Sequence, residues 1–309
     1  MAVRERVGMR TALALRGVVK RYGEITAVDG LDLAVPAGSC LGLLGPNGAG
    51  KSTTMRLIIA QTRADAGEIE VLGFRVPQES KRARAAMGVV PQLDNLDEEL
   101  TARQNLEVFA RLYRVPRAER PAAVERALDL AQLRKRADTK TDELSGGMRR
   151  RLLIARGLVH SPRLVLLDEP TVGLDPQVRQ ELWALIDALR AEGVTVLMST
   201  HYIEEAERLA DEVAVMSGGR VIAHGSPEQL RAEHAGRDVL EYYGPPVRLA
   251  EVESIAMEAG LATRRTGPAV SVLRAELMTE ATSGRLGRGY RRASSLEDVF
   301  VSLTGNDVE

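Results

Sequence analysis

The chain has 309 residues, more than one average domain needs, so we expect one large globular unit with a smaller one appended. Apolar residues make up 44% and charged residues 28%, a composition that excludes a largely disordered or fibrous chain. The 42 basic and 43 acidic residues nearly cancel, so the chain offers no broad positive field and we predict no nucleic-acid partner.

Cysteine content and hydropathy indicate the cellular compartment in which the protein works. The single cysteine, Cys40, cannot form an internal disulfide, which is typical of a reducing cytoplasm. The apolar runs are far shorter than the roughly 20 residues of a membrane-spanning helix. No continuous apolar segment follows the basic residues Arg4, Arg6 and Arg10, so we predict no signal peptide and expect the protein to stay inside the cell.

The first predicted elements are strands. Apolar runs alternate with turn residues between positions 12 and 44, a pattern that predicts several short strands in an antiparallel layer. The run over residues 39–44 predicts a strand that enters a glycine-rich turn, and a helix is predicted over residues 51–61. Strand, loop and helix in this order are the arrangement of a phosphate-binding unit.

The glycine-rich turn carries the first chemical motif, because residues 45–52 match G-x-x-x-x-G-K-[ST]. Its glycines let successive N–H groups surround phosphate oxygens, Lys51 reaches the β and γ oxygens, and Ser52 offers a hydroxyl to Mg²⁺. An ordinary glycine turn is the alternative, which the flanking strand and helix disfavour. The predicted nucleotide contacts here are Gly45, Pro46, Asn47, Gly48, Ala49, Gly50, Lys51, Ser52 and Thr53.

The middle of the chain is predicted to be helical. The capping-box pattern Thr101-Ala-Arg-Gln104 and the apolar spacing after it predict one helix. Pro116 and Pro121 are expected to separate it from a second helix that ends near Arg134. Helix and strand then alternate, which predicts a parallel sheet. These elements are a helix over residues 147–159, a strand over 164–167, a helix over 176–191 and a strand over 194–199.

Two carboxylates follow the strand over residues 164–167. A P-loop needs an acidic partner on a neighbouring strand to hold Mg²⁺, and Asp168 is the candidate. Glu169 comes next and is the candidate general base that polarises the attacking water. The alternative is a carboxylate pair that caps the next helix, which the upstream P-loop disfavours.

Composition loosens after residue 225, where glycine and proline break the chain into short elements. We therefore predict a boundary near residue 236, with one domain over residues 1–235 and a small accessory domain over residues 236–309. The accessory domain is expected to contain strands over residues 238–243 and 269–273 and a helix over residues 247–259. It carries no motif that we associate with catalysis.

The segment Leu144-Ser-Gly-Gly-Met148 opens a helix between the two motifs. Alone, a Ser-Gly-Gly helix start is only a cap and a turn. With the P-loop and the carboxylate pair, it resembles the LSGG signature of the ATP-binding subunits of ABC transporters. This resemblance covers about residues 12–235 and implies an α/β P-loop domain with a parallel core sheet, an antiparallel layer and a helical subdomain.

The resemblance also implies how two copies share ATP. In this family, the signature of one protomer faces the γ-phosphate that the P-loop of the other holds. We therefore expect a homodimer in which Ser145, Gly146 and Gly147 bind nucleotide across the interface. Asp175, in Gly173-Leu-Asp, resembles the D-loop aspartate of the same interface.

Further residues match the family pattern in the expected order. Tyr22 resembles the aromatic that stacks on adenine, and Gln92 resembles the Q-loop glutamine that approaches Mg²⁺ and touches the membrane subunit. His201, which follows a strand, resembles the switch histidine that senses the γ-phosphate. The predicted catalytic residues are thus Lys51, Gln92, Glu169 and His201. The predicted Mg²⁺ residues are Ser52, Gln92 and Asp168.

The implied function is that of an ATPase on the cytoplasmic face of the membrane, which drives a separate transmembrane permease. Met148, where many members have Gln, resembles the drug, lipid and polysaccharide export branch that includes daunorubicin-resistance and nodulation-type ATPases, as does the tail over residues 295–300. A nutrient-importer motor remains an alternative. A soluble ABC ATPase that acts on ribosomes or DNA is another, which the single compact cassette disfavours.

Several conspicuous residues are expected to be structural. The arginine run Arg149–Arg151 and the basic segment over residues 81–84 are predicted to be solvated helix faces. Trp183 is predicted to pack on the sheet from a helix, and Cys40 to be a small buried hydrophobe.

Overall fold

A computed structural model of the chain describes residues 11 to 305, so Arg4, Arg6 and Arg10 and residues 306–309 lie outside the described part. The strands, in chain order, are β1 (Thr11–Tyr22), β2 (Ile25–Pro36), β3 (Cys40–Leu44), β4 (Ala66–Val71), β5 (Phe74–Val76), β6 (Met87–Val90), β7 (Leu164–Asp168), β8 (Thr195–Thr200), β9 (Glu212–Ser217), β10 (Arg220–Gly225), β11 (Asp238–Tyr243), β12 (Thr263–Thr266), β13 (Ala269–Val272) and β14 (Tyr290–Ala293).

The α-helices are α1 (Lys51–Ile58), α2 (Ser80–Ala85), α3 (Ala102–Leu112), α4 (Arg120–Leu130), α5 (Gly146–Leu158), α6 (Pro176–Ala191), α7 (Ile203–Leu209), α8 (Pro227–His234), α9 (Pro246–Glu258), α10 (Glu280–Leu286) and α11 (Leu296–Thr304). Short 3₁₀ helices lie at Arg134–Arg136, Thr141–Glu143 and Ala275–Leu277. Between residues 11 and 305, no helix has both the length and the apolar character needed to cross a membrane.

A six-stranded sheet in the order β10-β9-β3-β8-β7-β6 forms the centre of the fold. Its strands are parallel except β10, which pairs antiparallel with β9. In β3, Cys40 and Leu44 face one apolar core, whereas Leu41 and Leu43 face the other. Because both faces are covered, these strands are apolar almost throughout. Their carboxyl ends meet at one edge, where parallel sheets bind ligands.

The predicted antiparallel layer exists as the sheet β2-β1-β4-β5. Several short strands were expected before β3, but the structure has two long ones, β1 and β2. Asp29-Gly30 is one of the turn pairs that were predicted to separate short strands between positions 12 and 44, but it lies inside β2. Val18 pairs with Leu31 and Lys20 with Val28, so two residues of β2 oppose the one residue between them on β1. Gly30, with a φ of +63°, therefore belongs to a β-bulge that bends the strand without ending it.

The helices before the signature segment differ from expectation at one proline. The Thr101 capping box is confirmed, since Thr101 and Gln104 each accept a hydrogen bond from the other's backbone N–H. Pro121, expected between two helices, instead lies in the first turn of α4, where its missing N–H has no intrahelical partner to lose. This second helix ends at Leu130 rather than near Arg134.

The predicted alternation between residues 146 and 200 is confirmed, with every boundary within one residue of expectation. The strand before the glycine-rich loop, β3, also lies where predicted. The helix after that loop, α1, ends at Ile58, three residues earlier than predicted. The α/β fold class with a parallel core sheet is thus confirmed.

The last part of the chain forms the antiparallel sheet β12-β13-β11-β14, with α9 packed on it over a separate apolar cluster. The sequence did not predict β12 and β14. The last helix, α11, leaves this sheet and packs against α7 and α8. Leu296, Val299 and Phe300 of α11 belong to the same apolar core as the helices of the first domain.

Asp298 links α11 to the appended sheet. Its carboxylate is fully buried and accepts hydrogen bonds from Arg264 Nη1 at 2.8 Å and Arg292 Nη1 at 2.6 Å, which lie on β12 and β14. Burial alone would raise the pKa of Asp298, but the hydrogen bonds from Arg292 and from the Ser295 backbone hold that pKa below its usual range. The carboxylate therefore stays charged and paired.

The packing of α11 generates a prediction about truncation. Ending the chain after Ala235 removes α11 and exposes the apolar faces of α7 and α8 that it covers. Burying three large apolar side chains contributes on the order of 5 kcal/mol, so we expect a loss of stability of that size in denaturant unfolding.

Replacing residues 238–293 with a short glycine linker is the matched control. The Ser294 N–H donates to the Arg237 carbonyl at 3.0 Å, so the cut ends are adjacent and α11 is kept. This shortened chain keeps α11 but loses both arginine partners of Asp298, so it should be destabilised less than the truncated chain. Equal destabilisation of both variants would contradict a structural role for α11 in the first domain.

Candidate active site

The loop between β3 and α1 contains the predicted P-loop residues. Gly48 and Gly50 have φ angles of +83° and +103°, conformations that side-chain-bearing residues rarely adopt. A Cβ at Gly45 would collide with the carbonyl oxygen of Met216. The loop ends at Lys51, the first residue of α1, whose N-terminal N–H groups have no intrahelical acceptor and favour an anion.

The Lys51 side chain is buried inside this loop. Its Nζ donates to the Gly45 carbonyl at 2.6 Å and to the Pro46 carbonyl at 3.1 Å. The same nitrogen lies 3.8 Å from Glu169 Oε1. Burial lowers the pKa of Lys51, while the charges of Glu169 and Asp168 oppose that shift. The ammonium thus lies among the loop carbonyls, close to the end of β7.

Asp168 ends β7 beside two hydroxyl groups. Ser52 Oγ donates to Asp168 Oδ1 at 3.3 Å, and Ser199 Oγ donates to the same oxygen. Carboxylate and hydroxyl oxygens are hard ligands of the kind that Mg²⁺ uses, with phosphate and water supplying the rest. Ser199, in β8, was not among the predicted site residues. Its position just before His201 at a strand end is the sequence signal that could have identified it.

Glu169 is the residue on which the predicted catalytic side chains converge. Its side chain is only 7% exposed, and its backbone φ is +46°. Gln92 Nε2 donates to Oε2 at 2.8 Å, and His201 Nδ1 lies 3.3 Å from Oε1. The Glu169 N–H is directed at Ser199, 3.1 Å from both its carbonyl oxygen and its Oγ. Gln92, Lys51 and His201 therefore surround one buried carboxylate.

The sheet explains why these residues meet. Gln92 follows β6, Asp168 and Glu169 end β7, His201 follows β8, and Lys51 follows β3 through the loop. These four strands are neighbours in the order β3-β8-β7-β6 and run parallel, so their carboxyl ends lie side by side.

The remaining predicted residues lie elsewhere. Tyr22 ends β1, is 45% exposed and has Lys20 Nζ at 5.2 Å from its ring centroid. Ser145 is the N-cap of α5, where its Oγ accepts from the Met148 N–H at 3.3 Å. Asp175, which precedes α6, is exposed, as are Ser145 and Gly146. Within residues 11 to 305, no hydrogen bond or ion pair joins these residues to the Glu169 carboxylate.

Met148 and the conspicuous structural residues can now be placed. Met148 packs its side chain against the apolar core, so this position makes an apolar contact within its own chain. Cys40 and Trp183 are buried, as predicted. Burial raises the pKa of the Cys40 thiol to about 12 and so keeps it neutral.

The prediction that Arg149–Arg151 form a solvated face is wrong for Arg150 and also for Arg151, whose side chain is only 12% exposed and pairs with Glu181 at 3.0 Å. Successive helical residues point about 100° apart, so the three side chains reach different neighbours. Arg149 pairs with Asp94 and Glu98, whereas the Arg150 guanidinium donates to five backbone carbonyls. These carbonyls belong to the segments that carry Gln92 and Glu169. No sequence pattern separated Arg150 from its neighbours.

Comparison with known proteins identifies the family. Residues 28–172 match the family model described as ABC transporter. The Nod factor export ATP-binding protein I of Ralstonia nicotianae is 44% identical, over 98% of this chain and 96% of the relative. The protein of the same name from a Rhizobium species is 43% identical, over 97% of this chain and 99% of the relative.

Solved structures agree with these relatives. An ATP-binding subunit of an ABC transporter aligns with a TM-score of 0.66 and 30% identity over 72% of this chain and 93% of its own. A dimeric post-hydrolysis ATP-binding cassette with ADP and Pi aligns with a TM-score of 0.62 and 29% identity, over 69% and 98%. With the nucleotide loop and the Glu169 cluster in place, these matches show that the chain belongs to the ABC transporter ATP-binding family and is an ATPase.

Proposed function

We propose that the chain is the motor subunit of an exporter, which works as a homodimer on the cytoplasmic face of the membrane and drives a drug, lipid or polysaccharide through a separate permease. The observation that carries the hydrolytic part is the convergence of Lys51, Gln92 and His201 on the buried Glu169 carboxylate. The relatives' name, Nod factor export ATP-binding protein I, supports export over nutrient import.

Glu169 is the proposed general base. A carboxylate that accepts a proton from water must stay ionised and be aimed, and Gln92 Nε2 donates to one of its oxygens at 2.8 Å. His201 faces the other oxygen and is placed to contact the phosphate end of the substrate. Lys51, now bonded to loop carbonyls, is the cation that binds the β and γ oxygens when ATP enters.

The nucleotide and metal contacts follow from the same geometry. We propose that the N–H groups of residues 45–53 surround the phosphates and that Tyr22 stacks on adenine. Asp168 and Ser52, whose oxygens already lie 3.3 Å apart, are proposed to hold Mg²⁺ together with Gln92. The metal supplies positive charge that offsets the phosphate oxygens.

The second half of the site is proposed to come from the partner protomer. Ser145, Gly146 and the half-buried Gly147 form a helix N-terminus, a place where N–H groups stabilise an anion. Asp175, exposed before α6, is proposed to lie in the same interface. The dimeric cassette among the structural matches supports this arrangement.

The permease is proposed to dock beside Gln92. A cavity of about 270 Å³ opens there between α1 and the segment after β6, lined among others by Met55, Ile59, Val89 and Leu93. Leu93, next to Gln92 at the mouth of this cavity, is 79% exposed and so adds apolar surface to the cavity lining. A membrane partner that covers Leu93 would also contact the segment that positions Gln92.

The appended sheet is proposed to regulate or assemble the motor rather than to catalyse. We keep the division into residues 1–235 and 236–309 as a proposal, with α11 as the element that returns to the first domain. Asp298, held by arginines of two appended strands, connects any movement of that sheet to α11 and through it to α7 and α8.

Glu169→Gln should bind ATP with near-normal affinity but hydrolyse it about 10²- to 10⁴-fold more slowly, because the phosphate contacts survive while the base is lost. Steady-state phosphate release and fluorescent-nucleotide binding measure the two properties separately. Lys51→Ala is the comparison variant and should lose both. Near-wild-type turnover by Glu169→Gln would remove Glu169 from the role of base.

Leu93→Glu should detach the protein from membranes of the source organism, because a charge at the docking surface opposes burial against the permease. The readout is the share of the protein that sediments with the membrane fraction, which should fall several-fold. Val247→Glu, at an 82% exposed position in the appended unit, is the matched control and should sediment like wild type. Unchanged sedimentation of Leu93→Glu would exclude this docking surface.

A further inference from the structure

Arg150 uses every N–H group of its guanidinium on the protein backbone. Nε donates to the Pro170 carbonyl at 2.6 Å. Nη1 donates to the carbonyls of Pro91 at 2.8 Å and Gln92 at 3.1 Å. Nη2 donates to the carbonyls of Asp168 at 3.3 Å and Glu169 at 3.0 Å. Arginine has five such donors, so its whole set is satisfied by five acceptors.

The acceptors belong to two separate segments. Pro91 and Gln92 begin the loop after β6, whereas Asp168 ends β7 and Glu169 and Pro170 follow it. Arg150 itself lies on a third element, in the second turn of the signature helix α5. One planar side chain thus joins the backbone of the Q-loop and the backbone of the base to the helix whose N-terminus is Ser145.

This choice of partners points to geometry rather than to charge pairing. None of the five acceptors is a carboxylate, and burial lowers the pKa of the Arg150 guanidinium, an effect that Asp94, Glu205 and Asp168 oppose from a distance. A desolvated cation placed on neutral carbonyls is tolerated because a guanidinium forms a rigid donor fork. An ammonium has three donors on one atom and cannot match five acceptors in two segments.

The backbone at Glu169 requires such a restraint. Its φ of +46° lies in the left-handed region, which is unfavourable for a residue with a side chain. The Glu169 carbonyl is held by Arg150 on one side, and the Glu169 N–H is held by Ser199 on the other. These two contacts fix the direction in which the Glu169 carboxylate leaves the backbone.

We infer that Arg150 is a positioning residue, which holds the Gln92 and Glu169 backbones in register and ties that register to the signature helix. The inference rests on the proposed roles of Glu169 and Gln92. It adds that α5, which presents Ser145 to the partner's nucleotide, is connected through one side chain to the base of its own chain. Movement of α5 on dimer closure therefore shifts Glu169 and Gln92 together.

Arg150→Met tests this inference, because methionine fills the space without donors. We expect kcat to fall about 10- to 100-fold, since small displacements of a catalytic group cost factors of this size, while the ATP dissociation constant stays within about threefold because the P-loop is untouched. Arg150→Lys should recover part of kcat. Arg111→Met, at an exposed arginine paired with Glu107 four residues away, is the matched control and should match wild type.

A merely structural role gives a different result, in which ATP affinity and the melting temperature fall in parallel with kcat. That outcome would overturn the inference. If Arg150→Met does not fold, Arg150→Lys decides the question, because it keeps the charge and some donors. Reduced kcat at normal ATP affinity in Arg150→Lys supports the inference, and wild-type kcat overturns it.

A double-mutant cycle separates this inference from the proposed function. If Arg150 acts by placing the Glu169 carboxylate, removing it from a Glu169→Gln protein should change residual single-turnover hydrolysis by less than about twofold. A further fall as large as in the wild-type background would show that Arg150 acts independently of Glu169 and would overturn the inference. Normal turnover of Glu169→Gln alone would instead refute the proposed base.

Discussion

The site depends on one electrostatic constraint, which is a buried carboxylate that must operate beside the phosphates of ATP. Glu169 is almost fully buried, and a triphosphate brings further negative charge to the same sheet edge. Lys51 and the N-terminal N–H groups of α1 offset part of that charge. A second helix, α5, also begins in a glycine-rich segment, at Ser145. In the part of the chain that the structure describes, this segment makes no hydrogen bond with the Glu169 carboxylate. A second copy of the chain is the natural source of that second positive helix end.

The fold meets this constraint by placing rigid supports around the end of β7. Parallel strands bring Lys51, Gln92 and His201 to the carboxylate from three neighbouring positions. Ser199 and Arg150 hold the strained backbone at Glu169 from opposite sides. The same arginine lies on the signature helix, so the helix proposed to meet the partner protomer and the segment that carries the proposed base are mechanically joined. The appended sheet connects differently, through Asp298 and α11.

The segments that carry motifs were predictable because their backbone conformation depends on residues close together in the sequence. Glycines predicted the P-loop after β3, an apolar run predicted the strand before Asp168, and Pro176 marked the start of α6; all three lie at the predicted positions. Misses arose where a distant partner decides the structure. The strands β12 and β14 were not predicted, and each carries an arginine, Arg264 or Arg292, that pairs with the buried Asp298. Arg150 was grouped with its neighbours as a solvated face because its five acceptors are backbone carbonyls far away in sequence.

Shared ATP sites are the central claim, and mixing two defective chains tests it most directly. Lys51→Ala removes the P-loop cation, and Gly146→Asp places a negative charge at the signature helix, where a Cβ meets open space. Gly147 is less suitable, since a Cβ there would lie 2.8 Å from Val178 Cγ1. Each variant alone should be nearly inactive. Their mixture should regain ATPase activity with one nucleotide retained per mixed dimer, because one pairing keeps both motifs intact. A mixture as inactive as its parents, or turnover by chains that stay monomeric, would contradict the account.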